Sequence, residues 1–251
     1  MPDRALVIIP TVDEASNIAD VLEQIRRAAP DADVLVVDGA SSDGTAELAE
    51  RAAAALGRIR VLRQPVRNGI GGAYRAGFEL GLAEGYDTLV EMDADLSHDP
   101  ADLPTLLAAA AGGARLAIGS RYVPGGATPF WPWHRLLLSR GGNRYVNVVL
   151  GLGVRDATAG FRAYRAQTLV EIDHATTRAD GYAFQVEMAY RVARTGGRIE
   201  EHPITFRDRV HGTSKMSGRI VVEAMLLVTS WAIRDRVLRR GPYRATRRDA
   251  R

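Results

Sequence analysis

The sequence lacks cysteine and has a single lysine, Lys215, although arginine is abundant. The absence of cysteine excludes disulfide bonds and thiolate zinc sites, and it is compatible with a reducing cytoplasm. Long apolar runs are also lacking, since the longest, between Ile220 and Ile233, is interrupted by Glu223. Because about 20 apolar residues are needed to cross a bilayer, no membrane-spanning segment is predicted. The apolar run before Pro10 is too short to predict a signal peptide.

Positive charge is concentrated at the end of the chain. The formal net charge is only +3, yet eight arginines occur from Arg234 onward, against Asp235 and Asp249. This asymmetry predicts a segment that contacts an anionic membrane or a nucleic acid, or one that remains a solvated tail. The apolar residues 220–233 just before it suit an amphipathic helix, lying on anionic lipid or docked on the protein itself.

Strand and helix patterns alternate along the chain. Short apolar runs predict strands, and apolar residues spaced three or four apart predict helices. Strands are predicted at 5–10, 33–38, 58–64, 87–93, 114–122 and 198–209. Helices are predicted at 14–28, 44–56, up to 83, 103–113, 135–150, 162–172, 184–196 and 220–240. This βαβ series predicts an α/β fold in which helices flank a mostly parallel, Rossmann-like sheet.

Two aspartates, Asp38 and Asp93, are the last residues of predicted strands. Ligands of parallel α/β sheets bind beyond the carboxyl ends of the strands, so both aspartates are expected near a ligand. Asp38 suits a hydrogen bond to a ribose or base, while Ser42 or Asp43 suits capping of the next helix. The domain that carries these residues is predicted to cover 1–218, with 219–251 as an appended helix and basic tail.

The first strand-to-helix connection contains Thr11 and Glu14. Their spacing is that of a capping box, which alone would account for both residues. The alternative is that this turn holds a nucleotide at the helix N-terminus.

A glycine-rich segment runs from Asn68 to Gly77 as NGIGGAYRAG. It fails the G-x-G-x-x-G pattern because Tyr74 stands at the third glycine position, and this weakens a dehydrogenase interpretation. Its glycines are predicted to let the backbone approach a phosphate or a sugar closely.

The segment LVEMDADLSHDP, from Leu89 to Pro100, carries two aspartates separated by one residue. Asp93 and Asp95 can turn toward one divalent cation as the strand ends, and their hard oxygen ligands suit Mg²⁺ or Mn²⁺. The following Ser-His-Asp run cannot be a hydrolase triad, because triad members must converge from separate positions and no nucleophile elbow is present.

Ordered segments across residues 7–218 resemble family-2 glycosyltransferases of the GT-A fold, and most closely the polyprenyl-phosphate (dolichol-phosphate) mannose synthases. The matching segments are VIIPTVDEASNI, VLVVDGASSDGT, NGIGGAYRAGF, LVEMDADLSHDP, AIGSRYVPGG, WPWHRLLLSRGGN, DATAGFRAYR, GYAFQVEMAYR and PITFRDRVHGTSKMSG. The set in this order is specific, and DATAGFRAYR and RVHGTSKMSG favour the polyprenyl-phosphate branch.

The resemblance implies roles for individual residues. Donor-nucleotide contacts are implied for Pro10, Glu14, Asp38, Gly71, Asp93, Ala94, Arg209 and Lys215. Metal ligation is implied for Asp93, Asp95 and Ser97. A catalytic role is implied for Asp95, and contact with the acceptor phosphate for Arg121, Arg135 and Ser139.

The chain departs from the family pattern in three segments. The family usually has Tyr-Asn-Glu or Phe-Asn-Glu where this chain has Val12, Asp13 and Glu14, and a second aspartate where Gly39 stands. It often has glutamine at the position of Ser97. The first two departures affect nucleotide contacts, and the third affects a metal contact.

The implied activity is inverting transfer of mannose from GDP-mannose to a polyprenyl monophosphate, with Mg²⁺ or Mn²⁺ as cofactor. A UDP-sugar donor (glucose or an aminosugar) is the alternative, and a binding module that uses the basic tail is an alternative of another class. Phe130, Trp131 and Trp133 suit an interfacial anchor or a lid packed on the core. The expected location is cytoplasmic, on the inner face of the cell membrane. A membrane-embedded protein is a further candidate partner, and no nucleic acid partner is expected.

Overall fold

The computed structural model describes residues 3–208 and 218–236, with side chains described for all of these except 218–224 and 235–236. Seven strands form one sheet: β1 Ala5–Thr11, β2 Asp33–Asp38, β3 Ile59–Arg63, β4 Thr88–Glu91, β5 Leu116–Ser120, β6 Arg162–Arg165 and β7 Ile199–Pro203. The helices are α1 Ile18–Ala28, α2 Thr45–Leu56, α3 Gly69–Ala83, α4 Leu103–Ala111, α5 Trp133–Leu150, α6 Ala166–Glu171, α7 Gly181–Arg194 and α8 Gly218–Arg236.

The strand order in the sheet is β3-β2-β1-β4-β6-β5-β7. All neighbouring strands run parallel except at β6, which is antiparallel to both β4 and β5. This confirms the predicted α/β architecture with a mostly parallel sheet. It also brings the carboxyl ends of β1, β2, β4 and β5 to one edge.

Each face of the sheet is covered by helices and has its own apolar cluster. Alternate residues of β1 show this, because strand side chains point to opposite faces in turn. Leu6 and Ile8 pack with Tyr74 and Phe78 of α3 in one cluster. Val7 and Ile9 belong to the other cluster, with Ile18 of α1 and Leu103 of α4. β1 is therefore buried on both sides, as its uninterrupted apolar sequence indicates.

The prediction of helix at 162–172 was wrong in its first part. Residues Arg162–Arg165 form β6, and the helix begins only at Ala166. The reason is tertiary, since the fully buried Arg162 donates hydrogen bonds of 2.7 Å to the carbonyl oxygens of Ala157, Ala159 and Gln185. Hydrogen bonds to residues outside this segment thus hold a polar sequence inside the sheet. The spacing of residues within the segment does not indicate them.

The last described helix, α8, packs on the domain. Val228 and Trp231 join the cluster that contains α3 and α7, and the Trp231 ring stacks on Tyr190 with centroids 6.2 Å apart. The Tyr145 hydroxyl of α5 lies 2.5 Å from Thr229 Oγ1. Docking on the domain therefore accounts for one face of α8. The basic tail after residue 236 lies outside the described residues.

None of the helices in the described ranges combines the length and apolar character needed to cross a bilayer.

Candidate active site

A cavity of about 390 Å³ lies at the carboxyl edge of β1 and β4, beside the start of α3. Its walls are formed by Pro10, Thr11, Val12, Glu14, Gly39, Gln64, Arg67, Asn68, Gly69, Ile70, Ala73, Asp93 and Asp95. Three predicted donor residues, Pro10, Glu14 and Asp93, are thus brought together here with the predicted metal ligand Asp95. A second cavity, of about 380 Å³, lies at the opposite edge, near Ala5 and Thr88, away from these carboxylates.

The loop after β4 fixes the two aspartates. Asp93 Oδ1 accepts a hydrogen bond of 3.3 Å from the Tyr74 hydroxyl, and the Asp93 N–H donates to His98 Nδ1 at 3.4 Å. Asp95 Oδ1 accepts from the Ser97 N–H at 3.0 Å. Leu96, between Asp95 and Ser97, has a φ of 60°, so the chain turns sharply at this point.

Burial sets the charge state of two neighbours of these aspartates. Desolvation lowers the pKa of His98 to about 4, which leaves a neutral ring able to accept from Asp93. Desolvation raises the pKa of the fully buried Glu91, at the end of β4, to about 8. Glu91 is therefore mostly protonated near neutral pH and adds little negative charge beside Asp93.

The residues of this loop fit a divalent cation. Asp93 and Asp95 offer carboxylate oxygens, and the buried Ser97 Oγ has no hydrogen-bond partner among the described residues. The described part of the chain contains no cluster of three or more His, Asp or Glu side chains that could enclose a metal alone. The donor set therefore suits a Mg²⁺ or Mn²⁺ that takes its remaining oxygen ligands from substrate and water.

Asp38 supports the cavity wall from behind. Its carboxylate is 3 % exposed and accepts hydrogen bonds from Thr11 Oγ1 at 3.0 Å and from Ser41 Oγ at 2.6 Å. The capping-box interpretation of Thr11 and Glu14 is wrong, because Thr11 ends β1 and bonds Asp38, while α1 begins at Ile18. Glu14 instead accepts from the Asn17 side chain at 2.9 Å and faces the cavity.

The glycine-rich turn packs against protein rather than against open space. A Cβ on Gly69, which has a φ of 69°, would collide with the Asp180 carboxylate. A Cβ on Gly71 would lie 3.0 Å from the Ala179 carbonyl oxygen and 3.1 Å from the Phe184 ring. Close approach to the segment before α7 therefore accounts for both glycines. The approach of this turn to a phosphate or sugar stays a prediction, since Gly69 also lines the cavity. Gly71 follows Gly69 and Ile70 in the chain but is not among the residues that line the cavity.

Arg121 lies beyond β5, in a buried ion pair that its sequence position did not reveal. Its guanidinium donates to both Asp156 oxygens at 2.7 and 2.6 Å, and to Thr158 Oγ1 at 2.8 Å. The rings of Tyr122, Trp131 and Phe206 surround it with centroids 5.2, 5.6 and 5.5 Å from Cζ. Burial alone would raise the pKa of Asp156, but the charge and hydrogen bonds of Arg121 outweigh it and hold that pKa below its usual range.

Arg135 and Ser139 lie one turn apart on α5. Arg135 bonds Asp208 at 2.6 Å and lies over the Trp131 ring with 3.9 Å between Cζ and the centroid. Ser139 Oγ accepts from the Tyr122 hydroxyl at 2.6 Å. Tyr122 and Trp131 each contact both Arg121 and one of these α5 residues, so the three predicted acceptor residues form one connected region.

The remaining predicted site residues are placed as follows. Ala94, which separates the two aspartates in the sequence, is buried. Arg209 and Lys215 lie outside the described residues. Asp156, Thr158 and Tyr74 belong to the site but were not identified from sequence as site residues, although each lies in a segment that carries the family resemblance.

An apolar surface borders the acceptor region. Phe130, Trp133, Leu137 and Leu138 are 96, 75, 64 and 51 % exposed, at the start of α5 and just before it. Trp131 instead packs inward against Phe206, with centroids 5.6 Å apart. The aromatic segment therefore divides its side chains between the interior and the surface.

Comparison with known proteins agrees with this geometry. The model of glycosyl transferase family 2 matches residues 6–172. Polyprenol monophosphomannose synthase of Mycolicibacterium smegmatis is 48 % identical over 96 % of this chain and 92 % of that protein. Undecaprenyl-phosphate mannosyltransferase of Micrococcus luteus is 51 % identical over 93 % of this chain and 96 % of that protein.

A solved structure gives the same result for the fold. Glucosyl-3-phosphoglycerate synthase of Mycobacterium tuberculosis, in complex with Mn²⁺, uridine-diphosphate-glucose and phosphoglyceric acid, matches with a TM-score of 0.66 at 20 % identity. The match covers 91 % of this chain and 80 % of that one. The expected GT-A architecture is confirmed, and by sequence and structure together the chain belongs to glycosyl transferase family 2.

Proposed function

We propose that this protein transfers mannose from GDP-mannose to the phosphate of a polyprenyl monophosphate, with inversion at the anomeric carbon. The observation that carries the proposal is the adjacency of two features at one edge of the sheet. One is a cavity with two aspartates, and the other is an arginine-bearing, aromatic surface. Two relatives at about half identity are named for mannose transfer to polyprenyl phosphates, which supports the same acceptor class here.

The donor is assigned to the cavity of about 390 Å³. Asp93 and Asp95, with Ser97 Oγ, would hold Mg²⁺ or Mn²⁺. When bound, that ion would neutralise charge on the donor diphosphate and stabilise it as the leaving group. Pro10 and Glu14 line the wall assigned to the nucleoside, and Asp38 holds that wall through Thr11.

The acceptor phosphate is assigned to the region of Arg135 and Ser139. A phosphate monoester is already largely dianionic near neutral pH, so it attacks without a general base. In the reaction a phosphate oxygen bonds the anomeric carbon while the bond from that carbon to the diphosphate breaks. Arginine hydrogen bonds would orient the attacking phosphate, which is catalysis by positioning and charge. Arg121 would act beside them from its ion pair with Asp156.

We assign the exposed apolar residues beside α5 to a membrane surface. Trp133 and Leu137 would enter the interfacial layer, where aromatic and aliphatic side chains anchor proteins. This would bring the acceptor region to a lipid whose chain stays in the bilayer. The same proposal places the protein at the cytoplasmic leaflet of the membrane. It includes lipid contacts made by the basic tail, and a membrane-embedded protein as a further partner.

The test offers the purified chain farnesyl phosphate, Mn²⁺ and labelled GDP-mannose or UDP-glucose in parallel. Label that enters the prenyl phosphate from GDP-mannose alone is the expected result. Label from UDP-glucose alone would favour the alternative donor, which the departures at Val12 and Gly39 make worth testing. These two residues meet at the cavity wall, since a Cβ on Gly39 would lie 2.9 Å from Val12 Cγ2. Transfer from neither donor would overturn the proposal.

A further inference from the structure

Helix α5 carries the proposed acceptor residues on a part that is poorly anchored in the core. Within residues 133–150, all of which the structure describes, the buried side chains are those of Asn143 and Val146. Arg135 and Ser139 precede both of them. Arg135 and Ser139 themselves contact Asp208 and Tyr122, so Asn143 is the first buried side chain that ties this half of α5 to the interior.

Asn143 is 2 % exposed, and three hydrogen bonds occupy its amide. Its Oδ1 accepts from the Ala157 N–H at 2.8 Å. Its Nδ2 donates to the Ser139 carbonyl oxygen at 3.0 Å and to Thr158 Oγ1 at 3.1 Å. One side chain thus joins the helical turn of Ser139 to the loop 156–160.

The loop 156–160 in turn contacts both halves of the site. At one end, Asp156 and Thr158 hold the Arg121 guanidinium. At the other end, a Cβ on Gly160 would lie 3.5 Å from Asp93 Oδ2. Asn143 therefore links the helix of the acceptor residues to a loop that reaches a proposed metal ligand.

We propose that Asn143 is a positioning residue that sets the acceptor phosphate in line with the donor, by fixing Ser139 and Arg135 relative to Arg121 and Asp93. The inference rests on the proposed function. It predicts that losing the Asn143 contacts impairs use of the acceptor while leaving the donor site intact.

The chain offers a matched control in Asn147, one turn further along α5. Asn147 Nδ2 donates to the Asn143 carbonyl oxygen at 3.0 Å, and its Oδ1 accepts from the Val154 N–H at 3.1 Å. Its bonds are thus of the same kind, but none of those described reaches Thr158 or Ser139. Asn143→Asp and Asn147→Asp each keep the acceptor oxygen and remove the amide donor.

The test measures KM separately for farnesyl phosphate and GDP-mannose, with thermal melting for each variant. Asn143→Asp loses both hydrogen bonds that Nδ2 donates, so it is expected to raise KM for farnesyl phosphate about tenfold or more. Its KM for GDP-mannose should stay within about twofold of the reference, a smaller change than a lost hydrogen bond gives. Asn147→Asp is expected to lower the melting temperature similarly without the acceptor-specific change.

If Asn143→Asp does not fold, Thr158→Val is the variant that tests the positioning role. It removes the hydroxyl that both Asn143 and Arg121 contact, and it keeps nearly the same side-chain shape. The same rise in KM for farnesyl phosphate is then expected. Equal effects on both substrates, or equal behaviour of the Asn143 and Asn147 variants, would overturn the positioning role while leaving the proposed function standing. An unsubstituted enzyme that transfers no mannose would overturn both.

Discussion

Gly71 and Asp180, 109 residues apart in the chain, are joined by a hydrogen bond of 2.8 Å from the Gly71 N–H to the Asp180 carboxylate. The first turn of a helix has unpaired N–H groups, and here a carboxylate from the segment before α7 satisfies one of them at the start of α3. The same carboxylate lies against Gly69, which lines the cavity proposed for the donor. The residue that precedes α7 therefore supports the shape of that cavity.

This contact predicts unequal effects of two similar substitutions. Gly69 and Gly151 have φ values of 69° and 68°, so alanine at either position should cost about 1–2 kcal/mol in backbone strain. Gly151 has open space around it, whereas a Cβ on Gly69 meets Asp180. Gly69→Ala is thus expected to be the more destabilising in urea unfolding, and to raise KM for the nucleotide sugar.

Adding Asp180→Ala to Gly69→Ala should recover part of the lost stability, because it removes the colliding carboxylate. Equal unfolding free energies for Gly69→Ala and Gly151→Ala would contradict the steric explanation.

The acidic loop gives a second prediction. Asp95→Asn keeps an oxygen for the Ser97 N–H but loses the charge that a cation needs. Transfer is expected to fall by on the order of a hundredfold or more, with the melting temperature little changed. Asp99→Asn is the matched control, because Asp99 in the same loop only accepts from the Ala101 N–H at 3.0 Å among its described hydrogen bonds. Initial rates at varied Mn²⁺, and after EDTA treatment, measure the effect; full activity of Asp95→Asn would remove its metal role.

The buried ion pair predicts a large loss of stability. Asp156→Asn leaves the Arg121 charge buried without its counterion, which should cost about 3–5 kcal/mol. The comparison is Glu84→Gln, which breaks the Arg60–Glu84 pair where the side chains are 46 and 32 % exposed. That loss should stay below about 1 kcal/mol. Urea denaturation of both variants measures the difference, and similar values would show that Arg121 finds another partner.

His174 predicts a pH dependence of stability. Burial lowers its pKa below the ordinary 6.5, against the opposing effects of the Leu169 carbonyl, Glu79 and Asp173, and with the help of Arg191. The unfolded chain therefore takes up this proton first as pH falls, so stability decreases as pH drops below about 6.5. His174→Asn should make the unfolding free energy depend less steeply on pH between about 7.5 and 5. An unchanged slope would exclude His174 as a contributor.

The exposed apolar surface predicts membrane binding. Leu137→Ser should lower the equilibrium constant for binding liposomes of anionic lipid about tenfold, since an aliphatic side chain no longer leaves water. Val170→Ser is the control, because Val170 on α6 is equally exposed at 64 % but lies away from the acceptor region. Flotation assays measure the binding. Activity on soluble farnesyl phosphate should persist in both variants, whereas a matching loss there would indicate a direct acceptor contact instead.

Sequence alone predicted the parts of this protein that depend on local pattern. The alternation of strands and helices followed from apolar spacing, and Asp93 and Asp95 were placed correctly because a strand end determines where they lie. The resemblance to family-2 enzymes added the expectation for Arg121, Arg135 and Ser139.

What sequence did not predict depends on contacts between distant residues. The partner of Arg121 is 35 residues away, and the partner of Gly71 is 109 away. Strand β6 was taken for helix because Arg162 gains its three carbonyl partners only in the folded sheet. These pairs form only when the strands come together in the folded chain. No short segment of the sequence therefore indicates them.

The reversed direction of β6 determines how the sheet is divided between the two proposed substrate regions. It separates the sheet into two groups of parallel strands, β1 to β4 with the donor cavity and β5 with β7 beside the acceptor region. The loop 156–160 leads into β6 and contacts residues that follow both groups, Arg121 after β5 and Asp93 after β4. In the proposed function, donor and acceptor are therefore bound by different groups of parallel strands, which meet at the one antiparallel strand.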